Sequence, residues 1–335
     1  MTLPAGTPPV DQPGPRVSVV TPFYNTAAYL AECIESVLAQ SHRNFEYILA
    51  DNRSTDDSLA IARRYAALDS RIRVVAHEEF IDQDSNYNRA LRLVAPDSRY
   101  VKIAQADDTL LPDCLAAMVD LAERNPSVGI VGCCFITGDV LAGHGLPFDR
   151  EVFTGVEACR TRLLHGGTYF GSPTCLLYRA DIVRTRPAFF PLNETNADTV
   201  ACLDILATCD FGRVRQVLCH LRRGNPSVSD RLRRNGAAAF LNYALVEKFG
   251  PRYLAPGEFS RRRAQLRAVY LRVLARGVTA RRGPEFWQFH RDALATVGQS
   301  LPTGAIARTL ATYLLGKATN PGTTLSSLVD RLRRR

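Results

Sequence analysis

Over the first 135 positions, short β-branched runs alternate with stretches of helical spacing. Val17-Ser18-Val19-Val20-Thr21 is largely apolar, ends at Pro22 and predicts a buried parallel strand. Leu30, Cys33, Ile34, Val37 and Leu38 then fall at i, i+3, i+4, i+7 and i+8, one face of a helix. Further strands are predicted over 45–50, 72–76, 100–104 and 128–135. Between them, Ser54 with Asp57 three positions on reads as a capping box, opening a helix through Leu59, Ile61, Ala62 and Tyr65. Residues 86–94 read as another helix, and Pro112 opens a third, with Leu115, Met118, Val119 and Ala122 on one face. This alternation predicts an α/β fold, a mainly parallel, Rossmann-like sheet flanked by helices. Ligands of such sheets sit at the carboxyl ends of strands, which singles out the loops 22–26, 51–56 and 105–109.

Beyond Phe135 the pattern loosens into short strands and loops as far as about residue 230. Phe170-Gly171-Ser172-Pro173-Thr174 reads as a turn before a strand over 175–178, and 193–209 reads as helical. After Arg231 almost everything is helix, over 240–249, 261–276, 286–297 and 306–315, giving an α-helical C-terminal extension. Residues 1–15, rich in Pro, Gly and Thr with no apolar period, are expected to be disordered.

Composition is that of an ordinary globular chain, with 46% hydrophobic and 22% charged residues in 335. Nine cysteines without a CxxC pair predict buried free thiols in a reducing compartment rather than a zinc site. Neither a signal-peptide pattern nor an apolar run of membrane-spanning length is seen, so a cytoplasmic protein is expected. The net charge of +9 is unevenly spread: residues 231–335 hold 20 basic against 5 acidic side chains, +15, leaving −6 before them. That balance suggests an anionic partner for the last third, with the inner face of the membrane as the candidate. Arg261-Arg262-Arg263 precedes Leu266, Val269, Tyr270 and Leu274 on one helix face, a pattern able to lie on anionic lipid. The other possibility is solvated arginines on helices packed against the rest of the chain.

Candidate chemistry sits in the three loops. Asp107-Asp108 follows an apolar strand directly, and adjacent carboxylates there are costly unless solvated or paired with a cation. A divalent ion shared with a diphosphate would use them; alternatively Asp108 caps the helix near Pro112. Asp51-Asn52-Arg53 could read a nucleobase edge and approach a phosphate, or form an ordinary turn. Tyr24 and Asn25, after Pro22 and Phe23, could meet a base, or pack beneath a loop.

Taken in order, VSVVTPFYN, FEYILADNRSTDDS, NYNRAL and YVKIAQADDTLLPDCL resemble family 2 glycosyltransferases of the GT-A fold, and FGSPTCLLYRADIV, NADTVACLDIL and VLCHLRRGNPSVS fit the acceptor half of that family. The resemblance spans about residues 16–230. It implies a nucleotide-sugar-binding half over 16–135, an acceptor-binding half with the catalytic base over 136–230, and a basic helical extension over 231–335. It assigns Pro22, Tyr24, Asn25, Asp51, Asn52, Arg53 and Asp107 to the nucleotide sugar, Asp108 to a Mg²⁺ or Mn²⁺ ion, and Asp198 to the base, with Asp204 and then Glu194 as alternatives. The chain departs from the family pattern at Gln105 and Asn52, which replace acids, at Ala197, which replaces a Glu, and at Gly224, where many relatives have His.

The implied activity is inverting transfer of a sugar from a UDP-sugar to a glycan or lipid-linked acceptor, in surface polysaccharide or glycolipid assembly. Two rivals are a non-catalytic nucleotide-sugar-binding protein and a nucleotidyltransferase. The latter would want a glycine-rich loop after the first strand, and 21–26 holds no glycine. A nucleic-acid partner is not expected, because the basic tail lacks interleaved aromatics.

Overall fold

The computed structural model describes residues 14–192, 194–224, 232 and 234–319. Most of the N-terminal segment expected to be disordered lies outside them, as do Asn193, at the start of a predicted helix, and 225–231, where the helical extension was expected to begin. The chain divides into two compact units, one ending at Gly224 and the other beginning at Asn225.

The first unit runs β1 (Val17–Phe23), α1 (Leu30–Leu38), β2 (Phe45–Asp51), α2 (Ser58–Ala66), β3 (Ile72–Ala76), α3 (Gln83–Leu91), β4 (Tyr100–Ile103), β5 (Thr109–Leu110), α4 (Cys114–Arg124) and β6 (Val128–Thr137). It continues through β7 (Val140–Ala142), β8 (Val152–Phe153), α5 (Gly155–His165), a 3₁₀ turn (Pro173–Cys175), β9 (Leu176–Arg179), α6 (Ala180–Thr185), α7 (Ala197–Ile205) and β10 (Asp210–Leu221). The main path through the sheet is β3-β2-β1-β4-β9-β6-β10-β5. β3, β2, β1 and β4 are parallel to one another, as are β6 and β10, while β9 runs antiparallel between β4 and β6. The expected mainly parallel sheet flanked by helices, with a helical region after it, is what forms.

β1 and β2 are buried along their whole length, which is why both read as continuous apolar runs. Val17, Val19, Phe23, Tyr47 and Leu49 share a core with the predicted faces of α1 (Leu30, Cys33, Ile34, Val37) and α4 (Leu115, Met118, Val119, Ala122). Each such side chain contributes roughly 1.5–3 kcal/mol by leaving water. The polar exceptions are satisfied: Ser18 bonds to Glu46 and to Ser98 (2.7 Å), and Thr21 donates to the Ala104 carbonyl (2.7 Å).

Several local expectations are corrected. No capping box forms at Ser54: α2 starts at Ser58, and the Ser54 hydroxyl instead accepts the Asn25 N–H (3.0 Å). α3 begins three residues before the predicted helix, because Asp82 caps it through the Ser85 N–H (3.0 Å). Asp108 caps nothing, since residues 109–110 are a strand and α4 opens after Asp113. β10 and α5 arise where only short strands and loops were expected.

The second unit contains α8 (Ala237–Tyr253), α9 (Pro256–Thr279), α10 (Pro284–Ala295) and α11 (Thr303–Thr319). Tyr270 of α9 is at its centre, 5.5 Å from Phe240, 6.0 Å from Tyr243 and 5.4 Å from His290 by ring centroids. Leu266, Tyr270 and Leu274 are buried and Val269 is half-buried, so most of the apolar face expected to lie on lipid is covered. No helix among the described residues is long and apolar enough to cross a membrane.

Candidate active site

The loop after β1 and the loop after β2 are tied together at the carboxyl edge of the sheet. The Asn52 N–H donates to the Phe23 carbonyl (2.9 Å), and the Thr55 N–H donates to Asn25 Oδ1 (2.8 Å), with Asn25 Nδ2 returning a bond to Thr55 Oγ1 (3.1 Å). Asn25 (φ 51°) and Arg53 (φ 64°) both adopt the left-handed region, uncommon for residues other than glycine and concentrated here in two facing loops. Pro22 is buried within β1 opposite Ala50, so it shapes the strand end. Tyr24 is 43% exposed and leans on Phe80, itself 51% exposed, with ring centroids 4.7 Å apart. Two exposed aromatics side by side leave a face on which a nucleobase can stack.

Asp51 is buried, accepts the Ser54 N–H (3.0 Å), and lies close enough to Arg89 and His77 for its charge to act on both. Asn52 is only 3% exposed and spends its amide internally. Its Nδ2 donates to the Ile81 carbonyl (2.8 Å), while Oδ1 accepts from the Ile81 N–H (3.2 Å) and Arg89 Nη2 (2.8 Å). As placed, Asn52 anchors the segment carrying Phe80. Arg53 is exposed at the rim.

Asp107 and Asp108 follow β4 and differ sharply. Asp107 is partly exposed, whereas Asp108 is 5% exposed, accepting from Thr174 Oγ1 (2.6 Å) and from the Arg222 backbone N–H (3.2 Å). Burial first, and the neighbouring Asp107 charge second, push the Asp108 carboxyl up to about 7, against the pull of Thr174 and Arg222. Arg222 donates through Nε to the Asp107 carbonyl (3.2 Å), pairs with Glu32, and sits 4.9 Å from the Tyr29 ring. A carboxyl raised by burial and by a neighbouring acid fits a hard divalent cation, which would favour its ionised form. No group of three or more His, Cys, Asp or Glu among the described residues could cage a metal alone, so a diphosphate would have to supply the other ligands.

Asp198 lies in the first turn of α7, half-buried, with Oδ1 accepting its neighbour Thr199's N–H (2.6 Å). Burial raises its carboxyl above the usual value, with Arg162 of α5 pulling the other way. Asp84, in the first turn of α3, is raised to about 6 by burial and then by the charges of Asp82 and Asp198. Tyr87, one turn further along α3, donates no charge but feels Asp107, Asp108 and Asp84, and its hydroxyl accepts from Gln105 Nε2 (3.1 Å). Through Tyr87 and Asp84 the acidic pair is thus linked electrostatically to Asp198. Asp204 falls at the opposite end of α7, six residues on, about 9 Å along the helix axis. Glu194 lies before the helix.

Thr174, Arg222, Glu32, Asp84 and Tyr87 were not singled out from sequence. Thr174 carries a signal in hindsight, a hydroxyl inside a Ser-Pro-Thr turn at the mouth of a strand. Asp84 carries none, because acids in the first turn of a helix are ordinary.

The family model described as Glycosyl transferase family 2 matches residues 18–186. A putative teichuronic acid biosynthesis glycosyltransferase, TuaG of Bacillus subtilis, is 28% identical over 237 residues, 70% of this chain and 89% of TuaG. The match covers a smaller share of two other curated relatives, 13% of one and 63% of the other. Among solved structures, S. aureus TarS 1–349 in complex with UDP-GlcNAc superposes with a TM-score of 0.61 at 16% identity, covering 87% of this chain and 82% of that one. The mannosyltransferase PcManGT of Pyrobaculum calidifontis, in complex with GDP-Man and Mn²⁺, superposes with a TM-score of 0.56 at 22% identity, over 94% and 84% of the two chains. At these identities the structural likeness speaks for the fold, which is of the GT-A type.

Proposed function

This chain belongs to glycosyltransferase family 2, and from that premise we propose that it transfers a sugar from a UDP-sugar to an acceptor hydroxyl with inversion, in the assembly of a surface polysaccharide or glycolipid. The acceptor is a glycan or a lipid-linked saccharide, and the basic helical unit brings the enzyme from the cytoplasm to the anionic inner face of the membrane. The observation carrying the reading is the buried Asp108 beside Asp107 at the end of β4, held by the Thr174 hydroxyl and the Arg222 backbone N–H. UDP-GlcNAc in TarS and the teichuronic acid role in the name of TuaG favour a UDP-sugar and a polysaccharide product.

Asp107 and Asp108 would hold a Mg²⁺ or Mn²⁺ ion. That ion, when bound, supplies positive charge to the diphosphate oxygens. Tyr24 and Phe80 offer a stacking face to the uracil, Asp51 accepts from its edge or the ribose, and Asp107 lies on the ribose side of the acidic pair. Asn25, Asn52 and Arg89 hold these loops in place. Asp198 takes the proton of the acceptor hydroxyl as its oxygen forms the new bond to the anomeric carbon. The bond from that carbon to the diphosphate breaks on the opposite face, and UDP leaves. The upward shift of Asp198 suits this role, because a stronger base accepts a proton more readily.

A donor screen tests the proposal: UDP-, GDP- and dTDP-sugars with Mn²⁺, read as released nucleotide, with the first-formed sugar anomer followed by NMR. UDP release from a UDP-sugar, stopped by EDTA and giving the inverted anomer, is expected. A retained anomer, or turnover indifferent to EDTA, contradicts it.

A further inference from the structure

Lys102 is a charged residue inside the core. It stands on β4 in register with Val19 of β1 and Leu177 of β9, and it is 0% exposed. Its Nζ donates to the Thr174 carbonyl (2.6 Å) and lies 3.5 Å from Met118 Sδ. The rest of its surroundings are thiols, with Cys219 3.8 Å from Cys114 and 3.7 Å from Cys133, and Cys219 also donating to the Thr174 carbonyl (3.1 Å). Burial works against the ammonium.

An ammonium with one oxygen acceptor and a shell of sulfur is costly to bury, and methionine would fill the same room without that cost. Stability therefore gives no reason for the charge. Its one oxygen partner gives another reason. Thr174 is itself fully buried, and its hydroxyl donates to Asp108 Oδ2 (2.6 Å) and accepts the Gln105 N–H (3.1 Å). One residue thus takes Lys102 on its carbonyl and holds the Asp108 carboxylate on its hydroxyl.

We infer that Lys102 is a positioning residue of the donor site: it fixes Thr174 from behind and, through the Thr174 hydroxyl, holds Asp108 for a divalent cation. The inference rests on Asp108 as the metal ligand in the function proposed above. Residues that orient a metal ligand typically matter about tenfold or more in metal affinity.

The test titrates Mn²⁺ into UDP-saturated protein for wild type, Lys102→Met, Thr174→Val, Thr174→Ser and the Lys102→Met/Thr174→Val double variant. Lys102→Met is expected to melt no lower than wild type yet to bind Mn²⁺ about tenfold more weakly. Thr174→Val should show a similar loss and Thr174→Ser almost none. The double variant should lose no more than the weaker single, because both act along one path. Wild-type Mn²⁺ affinity in a folded Lys102→Met, or losses that simply add, overturns the inference. Should Lys102→Met not fold, the Thr174 pair decides it, and equal affinity for valine, serine and wild type overturns it. Absence of Mn²⁺ uptake by wild type itself overturns the parent reading of Asp108, and the role of Lys102 with it.

Discussion

At the scale of single residues, the account turns on carboxyls whose environments differ. Asp198 is raised by burial, and Asp84 is raised to about 6 by burial and then by Asp82 and Asp198. A base is active when ionised, so the rate should fall as pH drops through the raised value of Asp198. The Asp198 charge raises Asp84, whereas Asp84 is not among the groups that shift Asp198, so Asp84→Asn should leave the acid limb of the kcat profile in place. Asp198→Asn keeps the shape but cannot accept a proton, and kcat should fall by roughly 10²–10⁴ with donor affinity little changed. Steady-state kinetics across pH on the two variants and Asp204→Asn check this. A near-wild-type Asp198→Asn beside a crippled Asp204→Asn would place the base at the other end of α7.

At the scale of elements, what was legible in the sequence followed the strength of the local pattern. β1, β2, α1 and α4 were readable because each buries a whole strand or one clear helix face. β10 was not, since its Arg213, Arg215 and Gln216 interrupt the apolar run; Arg213 is buried nonetheless, its guanidinium donating to the carbonyls of Leu146 (2.9 Å) and Pro147 (2.7 Å). The Ser54 capping box failed because long-range loop contacts claimed the hydroxyl first. In the site, the acidic pair was visible from its place after a strand, but Thr174 and Arg222 reach Asp108 across 66 and 114 residues, which no local pattern records. The helical unit shows the same limit, since the apolar side of α9 turns inward. Membrane attachment must then rest on exposed Arg261, Arg267, Arg272 and Arg276, each worth about 1 kcal/mol near anionic lipid, with Leu314 and Leu315 of α11 exposed for shallow insertion. Co-sedimentation with phosphatidylglycerol vesicles should be strong at low salt, weak at high salt, and absent with neutral vesicles. Failure to bind anionic vesicles at low salt removes the membrane from the proposal.

At the scale of the whole molecule, the parallel β3-β2-β1-β4 stretch collects the nucleotide loops at one edge, and the antiparallel insertion of β9 brings the Thr174 turn beside the end of β4. Asp84 and Asp198 stand in the first turns of α3 and α7, close enough for the Asp198 charge to act on Asp84. One unit of the chain thus holds the exposed Tyr24–Phe80 pair, the Asp107–Asp108 pair and Asp198. In the proposed mechanism a divalent ion on Asp108 couples the protein to the donor diphosphate. Calorimetric titration of UDP into wild type and Asp108→Ala, each with and without Mn²⁺, tests this most directly. The account predicts that Mn²⁺ tightens UDP binding to wild type and leaves Asp108→Ala unchanged; equal affinity in all four titrations would contradict it.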